Sequence, residues 1–341
     1  MDFQTDILSL RYSELADELN VYKCPAYRVS QIFSWLHEKK VTSFDEMTDI
    51  PKSLRLQLSE HFVIPHAEII KKLVSRDGTV KLLIGFGDGN CVETVAMKYD
   101  HGYSVCISSQ VGCKMGCSFC ASTKAGFVRN LYPSEMLLQI YTVERILGTA
   151  IDSIVLMGIG EPLDNFDNVM SFYDIVTDSA GRNLSNRSVA LSTCGVVPGI
   201  YSLADRQLQL TLSVSLHCAD NDRRSVLMPV NKAWDISKLM EACRYYYKKT
   251  GRRITFEYSV IHGENDSVSD ADKLAHVLSG FNAHVNLIPV NHVSETNYYA
   301  TRRHAEDFLA LLKNRGLNAT IRRTLGDDIN AACGQLRRES L

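Results

Sequence analysis

Residues 103–122 read YSVCISSQVGCKMGCSFCAS: a short β-prone run passes straight into a loop that carries Cys113, Cys117 and Cys120. The run YSVCIS (103–108) is the first of seven such segments. The others are SIVLMG (153–158), SVALS (188–192), LTLSVSL (210–216), ITFEYSV (254–260), VNLIP (285–289) and NATIRR (318–323). Longer amphipathic stretches lie between them, including Glu135–Leu147, Ile236–Lys249 and Arg302–Lys313. Apolar strands that alternate with helices predict parallel βα units. Six or seven units favour a partial or complete β/α barrel over an open two-sided sheet, an α/β fold of the (β/α)6 type.

Upstream of this rhythm the pattern differs. Residues 1 to 62 look helical: Tyr27, Gln31 and Trp35 share a helical face, and a second helix is expected near Pro51. Three β-prone runs follow, AEIIKKLV, TVKLLIGF and CVETVAMKY, separated by Asp77-Gly78 and Asp88-Gly89. Asp-Gly pairs accept the positive φ of tight hairpins, so a three-stranded meander is predicted. The expected division is an accessory region over 1–97, a catalytic core over 98–331 and a tail over 332–341.

Composition narrows the class. The chain is 45% hydrophobic and 22% charged, which excludes disordered and fibrous proteins. No apolar run reaches ~18 residues, and the start MDFQTDILSL has no secretory pattern. A cytoplasmic protein with no membrane partner is expected. The net charge of −2 does not by itself call for nucleic acid, so any polyanion site must come from local segregation of charge. The 10 cysteines do not suit a disulfide scaffold in a chain this long, which leaves metal binding or catalysis.

The spacing C-x3-C-x2-C decides between two metals. Three thiolates on one loop can hold three irons of a 4Fe–4S cube and leave the fourth iron without a protein ligand. Structural zinc takes four protein ligands, and no fourth Cys or His lies close downstream, although Cys106 or His217 could serve. The spacing, with Phe119 just before the last cysteine, resembles the signature of the radical S-adenosylmethionine (SAM) superfamily. The vacant iron would then be chelated by SAM, whose reductive cleavage supplies a 5′-deoxyadenosyl radical.

A barrel carries its chemistry at the C-terminal strand ends. The cluster loop follows the first strand, and Gly158-Ile159-Gly160-Glu161-Pro162 follows the second. Ser192 ends the third, Ser215-Leu216-His217 the fourth, and the sixth leads to Asn291. Taken singly, each has a plainer reading: Ser192 and Ser215 as strand-end caps, His217 as a packed residue, a lone G-x-G as any tight loop.

The segments SSQVGCKMGCSFC, GFVRNL, MGIGEPL, LSTCGVVP, SLH, MPVN, VNLIPVN and GDDINAACGQLR, in this order, resemble the RlmN-type dual-specificity RNA methyltransferases. The upstream stretches YRVSQIFSWLHE, FDEMTDIPKSLR and VETV do so too. The likeness covers nearly the whole chain, and its AACGQL tail sets this family apart from most radical SAM enzymes. One local departure is His292 after Asn291, where some relatives have proline. The resemblance implies methylation of C2 of adenine 2503 in 23S rRNA and of adenine 37 in some tRNAs. It implies a 4Fe–4S cluster on Cys113, Cys117 and Cys120, and two equivalents of SAM. The SAM site would comprise Gly160, Glu161, Ser192, Ser215, Leu216, His217 and Asn291. A reducing partner such as flavodoxin or ferredoxin and a monomeric state are also expected.

Adenine C2 is an electron-poor carbon without a lone pair, so ordinary methyl transfer fails there and a radical route is required. The resemblance implies that Cys333 first accepts a methyl group as a thiolate, then loses a hydrogen atom from it and joins C2 in a covalent enzyme–RNA adduct. Glu93 would take the C2 proton. Cys106 would attack the sulfur of Cys333 and release the product, leaving a disulfide. From the residues alone, Cys106 and Cys333 could be packing residues and Glu93 a solvated strand residue.

From His101 to Ser134 there is no Asp or Glu, while Lys114, Lys124 and Arg129 are present. Together with Arg223-Arg224, Arg302-Arg303 and Arg322-Arg323, they are candidate phosphate contacts. The competing functions are C8 methylation of adenine within the enzymes, and a zinc-stabilised RNA-binding module outside them.

Overall fold

The computed structural model describes residues 4–100, 102–124, 126–290, 298–329 and 331. The chain opens with strand β1 (Thr5–Asp6), then helices α1 (Tyr12–Asn20), α2 (Ala26–His37) and α3 (Lys52–His61), and β2 (Phe62–Val63), which pairs with β1. Helix α2 buries Val29, Ile32, Phe33 and Leu36, a stripe at helical spacing. The Tyr27–Gln31–Trp35 face expected to be shared is the outer one, with Tyr27 exposed and the Lys39 ammonium over the Trp35 ring. Pro51 stands at the N-cap of α3, as its fixed φ favours.

The meander follows as β3 (Glu68–Val74), β4 (Val80–Gly85) and β5 (Cys91–Tyr99), all antiparallel. Gly78 and Gly89 have φ of +85° and +79°, as the two Asp-Gly turns require. The meander does not end there. Strand β5 pairs antiparallel with β6 (Gly102–Cys106), so it continues into the sheet of the core, and the expected division at 97/98 falls inside β5.

After β6 come a short hairpin, β7 (Gln110–Gly112) with β8 (Phe127–Asn130), and helix α4 (Pro133–Leu147). Then the elements alternate: β9 (Ser153–Leu156), α5 (Phe166–Thr177), β10 (Val189–Thr193), α6 (Val197–Asp205), β11 (Thr211–Ser215). The last are α7 (Asn221–Leu227), α8 (Ile236–Thr250), β12 (Ile254–Val260), α9 (Val268–Val277), β13 (Ala283–Pro289), α10 (Arg302–Asn314) and β14 (Ala319–Ile321). All seven predicted strands are present, and β6, β9, β10, β11, β12, β13 and β14 lie side by side in that order, all parallel.

Because each strand pairs with its successor, every crossover winds the same way, and the helices cover one face, as in a barrel wall. Alternation along the strands sorts the faces. Leu191, Leu212, Val214, Phe256 and Tyr258 are buried in the apolar core, while Ser192, Ser213, Ser215 and Glu257 supply polar groups on other strand positions. Among the described residues β14 and β3 are edges, so the barrel is partial. Helix α4 shows how local signals set the boundaries. Pro133 occupies its first turn, the Glu135 carboxylate accepts from the Tyr132 N–H, and left-handed Gly148 stops it. No helix among the described residues is long and apolar enough to cross a membrane.

The N-terminal helices dock on α4. His37 Nδ1 lies 2.9 Å from the Tyr141 hydroxyl, and Lys40 pairs with the buried Glu144 at 2.6 Å.

Candidate functional site

The strand ends open on one cavity whose empty space, out to open solvent, is ≈ 1120 Å³. Cys113, Cys117 and Cys120 share its wall with Gly158, Gly160, Glu161, Ser192, Ser215 and His217. Apart from Gly158, these are eight of the nine expected metal and cofactor positions within the described residues, and they line a single space. The ninth, Leu216, is fully buried beside it and contributes backbone, donating its N–H to the Glu257 carbonyl at 3.0 Å. Asn291 and Cys333 lie outside the described residues.

The cysteine loop is held from both sides. The Cys113 N–H reaches the Gly126 carbonyl, the Ser118 N–H the Leu227 carbonyl, and the Cys120 N–H the Cys117 carbonyl. Burial pushes the Cys113 thiol up to about 12 and the Cys117 thiol higher still. Thiolates buried this way need a positive partner in contact, which an iron–sulfur core provides. Three thiols from one C-x3-C-x2-C loop on one cavity wall suit a cluster held by three thiolates.

The glycines of the second strand end line the cavity and also make a close approach within the protein. A Cβ on Gly158 would stand 2.6 Å from the Ile107 carbonyl oxygen, and one on Gly160, at φ +107°, 2.6 Å from Gln110 Cβ. They let this loop approach the cysteine-bearing segment itself. Gln110 fixes the approach by accepting the Glu161 N–H at 2.9 Å. The Glu161 carboxylate is buried and accepts from the backbone N–H groups of Leu163 (3.0 Å) and Cys194 (2.7 Å). Burial raises its pKa and those bonds oppose the rise.

His217 sits at φ +56° with its ring edge-on to Phe119, centroids 4.9 Å apart. Its Nδ1 accepts the Ser259 N–H at 2.9 Å, which puts the ring proton on Nε2. Burial lowers its pKa to about 3, as it does for His37. Both rings are neutral in the folded chain, while unfolded histidines charge near pH 6.5. Between pH 6.5 and 3 the unfolded state therefore binds more protons, and stability falls as pH falls. The expected loss from pH 7 to 5 is ~4 kcal/mol for the pair. Thermal unfolding against pH checks it, and His37→Gln should remove about half of that slope.

Three positioning residues escaped the sequence reading. Asn265 is fully buried, donates to the His217 and Ser259 carbonyls (2.7 and 2.8 Å) and accepts the Ile261 N–H. Asn165 donates to the carbonyls of Ser109 and Leu131. Arg224, expected as a surface contact for phosphate, is instead fully buried; its guanidinium bonds the Leu216, Cys194 and Ser215 carbonyls and Asn231 Oδ1. A side chain in that position cannot meet a polyanion. The Arg223 guanidinium pairs with Asp270, and Arg322 lines the cavity near Glu257. The local cationic excess is also internally matched: Lys114 pairs with Asp164 at 2.8 Å, and Arg129 with Asp88 and Glu135.

A second constellation adjoins the cavity. Cys106 is buried against Val95, Ile159 and Ala331, with Met157 and Met97 packed alongside. Ala331 is two residues before Cys333 in the chain. Its segment is clamped by the first hairpin of the meander: Asp77 Oδ2 accepts the Gly326 N–H at 2.8 Å, and Ser75 Oγ donates to Asp328. Glu93 is not the solvated strand residue of the plainer reading; it is 2% exposed and bound to the Lys81 ammonium at 2.6 Å. Across the β5–β6 pair Val95 faces Cys106, and Glu93 is two residues from Val95, on the same side of the sheet. No disulfide joins two of the described cysteines. Cys194 and Cys218 contribute their backbones, the first to Glu161 and Arg224, the second through a 2.7 Å bond to the Leu216 carbonyl.

Residues 107–275 match the family model for the radical SAM superfamily, and residues 5–64 that for the ribosomal RNA large subunit methyltransferase N-terminal domain. The chain is 49% identical over 335 residues to the “Probable dual-specificity RNA methyltransferase RlmN” of Clostridium perfringens strain SM101, covering 98% of this chain and 96% of the relative. The protein of the same description from Staphylococcus carnosus is 48% identical, with 97% and 92% covered. A crystal structure of a radical SAM methyltransferase from Sphaerobacter thermophilus superposes with a TM-score of 0.93 at 40% identity, covering 98% of this chain and all of that one.

Proposed function

The chain belongs to the RlmN family of radical SAM RNA methyltransferases, and from that premise we propose that it methylates C2 of adenine 2503 in 23S rRNA and of adenine 37 in tRNA through a cysteine relay. The observation that supports the relay is that Ala331 and Cys106 belong to one small apolar cluster, which brings the segment before Cys333 to the strand that leads into the cluster loop.

The cluster and SAM, when bound, supply the methyl group and a carbon radical that abstracts hydrogen. Cys113, Cys117 and Cys120 hold the cluster. Gly160, Glu161, Ser192, Ser215, Leu216, His217 and Asn291 hold SAM. Glu161 fits its ammonium group, because its carboxylate is already desolvated and fixed by two N–H donors.

Cys333 carries the methyl as a thioether and becomes joined to C2. Glu93, paired with the Lys81 ammonium, takes the C2 proton as the radical adduct gives up one electron, which the cluster, when bound, would accept. The Cys106 thiolate then attacks the sulfur of Cys333; the C–S bond breaks with its electron pair passing to the methylene carbon, which takes a proton to become the C2 methyl group, and Cys106 and Cys333 are left as a disulfide to be reduced by a thiol donor. The division into an accessory region, a core and a tail fits these roles. Its helices, built on 5–64, belong to RNA recognition, and its hairpin at 75–79 holds Gly326 and Asp328 in the segment that precedes the tail.

The test is anaerobic incubation of reconstituted protein with SAM, a reductant and 23S rRNA lacking the modification, followed by nucleoside mass spectrometry. 2-Methyladenosine at a single position is expected. 8-Methyladenosine or no product overturns the reading.

A further inference from the structure

The scheme above leaves the charge of Arg224 unused. Its side chain is 0% exposed. Its hydrogen bonds go to three carbonyls and one amide oxygen, at 2.8 to 3.2 Å, and all of these acceptors are neutral. No carboxylate pairs with it among the described residues, whereas Arg129, Arg182 and Arg223 each have one. Glu161, an acid that lines the cavity, accepts backbone N–H groups at both oxygens.

A guanidinium buried without a counter-charge is expensive, and folds seldom keep one that nothing neutralises. Geometry places Arg224 beside the cluster loop: its guanidinium bonds the carbonyls of Cys194 and Ser215, which line the cavity together with Cys117, and the Leu227 carbonyl of the same helix accepts the Ser118 N–H next to Cys117. A 4Fe–4S core held by three thiolates is net negative, and one charge more so after reduction.

We infer that Arg224 is the fixed counter-charge of the cluster: a positioning residue that stabilises the reduced state and braces the ends of β10 and β11. The inference rests on the reading of Cys113, Cys117 and Cys120 as cluster ligands. It is specific to charge, because its bonds to Cys194, Ser215 and Leu216 account for the bracing but need only a donor. A cation near an iron–sulfur core raises its reduction potential, and removing it lowers that potential.

The experiment is a redox titration of the reconstituted, SAM-free enzyme, followed by the paramagnetic resonance signal of the reduced cluster. Arg224→Gln, which keeps donors and loses charge, should shift the midpoint to a more negative value. Arg224→Lys, which keeps charge and loses the fork, should return it close to that of the unaltered enzyme. Equal midpoints for the Gln variant and the unaltered enzyme, at equal iron and sulfide content, overturn the inference. Absence of iron and sulfide from the unaltered enzyme overturns the cluster reading instead. Should Arg224→Gln not fold, amide exchange in the unaltered protein decides. Loading the cluster should slow exchange across Asn221–Leu227, which carries no cluster ligand, and unchanged exchange there overturns the inference.

Discussion

Replacing Cys106 with alanine is expected to leave the enzyme covalently attached to its RNA. If Cys333 joins adenine C2 through a methylene bridge, release requires a second sulfur to attack the first, and Cys106 is the described thiol packed on the segment before Cys333. Alanine fits the same apolar pocket of Val95, Ile159 and Ala331, so the fold should bear the change at a cost of about 1 kcal/mol. Turnover should nevertheless fall by ~10³-fold or more, since residues that act in one covalent sequence fail together. The complementary variant, Cys333→Ala, should give neither product nor adduct. Denaturing electrophoresis with labelled RNA reads both: a slow band for Cys106→Ala, none for Cys333→Ala. A Cys333→Ala enzyme that still methylates RNA excludes the relay. A Cys106→Ala enzyme that turns over normally assigns release to another thiol.

What the sequence disclosed follows from which signals are local. Seven strands, three of the crossover helices and both Asp-Gly turns are legible because periodicity, Pro at first turns and Gly at stops act over a few residues. The cysteine loop is legible for the same reason. Arg224 was misread because an arginine pair looks solvated, and only the tertiary arrangement of three carbonyls around it shows otherwise. Asn265 and Asn165 gave no signal at all, since a buried amide that bonds backbone has no required spacing. Of the three cations from His101 to Ser134, Lys114 and Arg129 have carboxylate partners, Asp164, Asp88 and Glu135, that lie outside that window, so the local excess is smaller than the sequence suggests. Gly158 and Gly160 stand out in the sequence only as a G-x-G of a tight loop; that they also let it meet the segment 107–110 depends on tertiary structure.

Loss of a single cluster cysteine should remove every step that depends on the radical, and Cys117→Ala is the most informative choice. Cys117 is buried, its loop is bonded to α7 through Ser118 and Leu227, and its thiol faces Arg224. Alanine removes one of three thiolates from a core that has no other protein ligand among the expected set, so iron and sulfide should fall to background and SAM cleavage should cease. The control is Cys194→Ala. Cys194 also lines the cavity, but it stands just past the end of β10 and not on the three-cysteine loop. Its useful contacts are its backbone N–H and carbonyl, which alanine keeps. Metal and labile-sulfide analysis after anaerobic reconstitution separates the cases. Iron retained in Cys194→Ala and lost in Cys117→Ala confirms the three-cysteine ligand set. Zinc at one ion per chain, lost equally in both variants, would show that Cys194 completes a four-ligand structural site and that the loop does not hold a cluster.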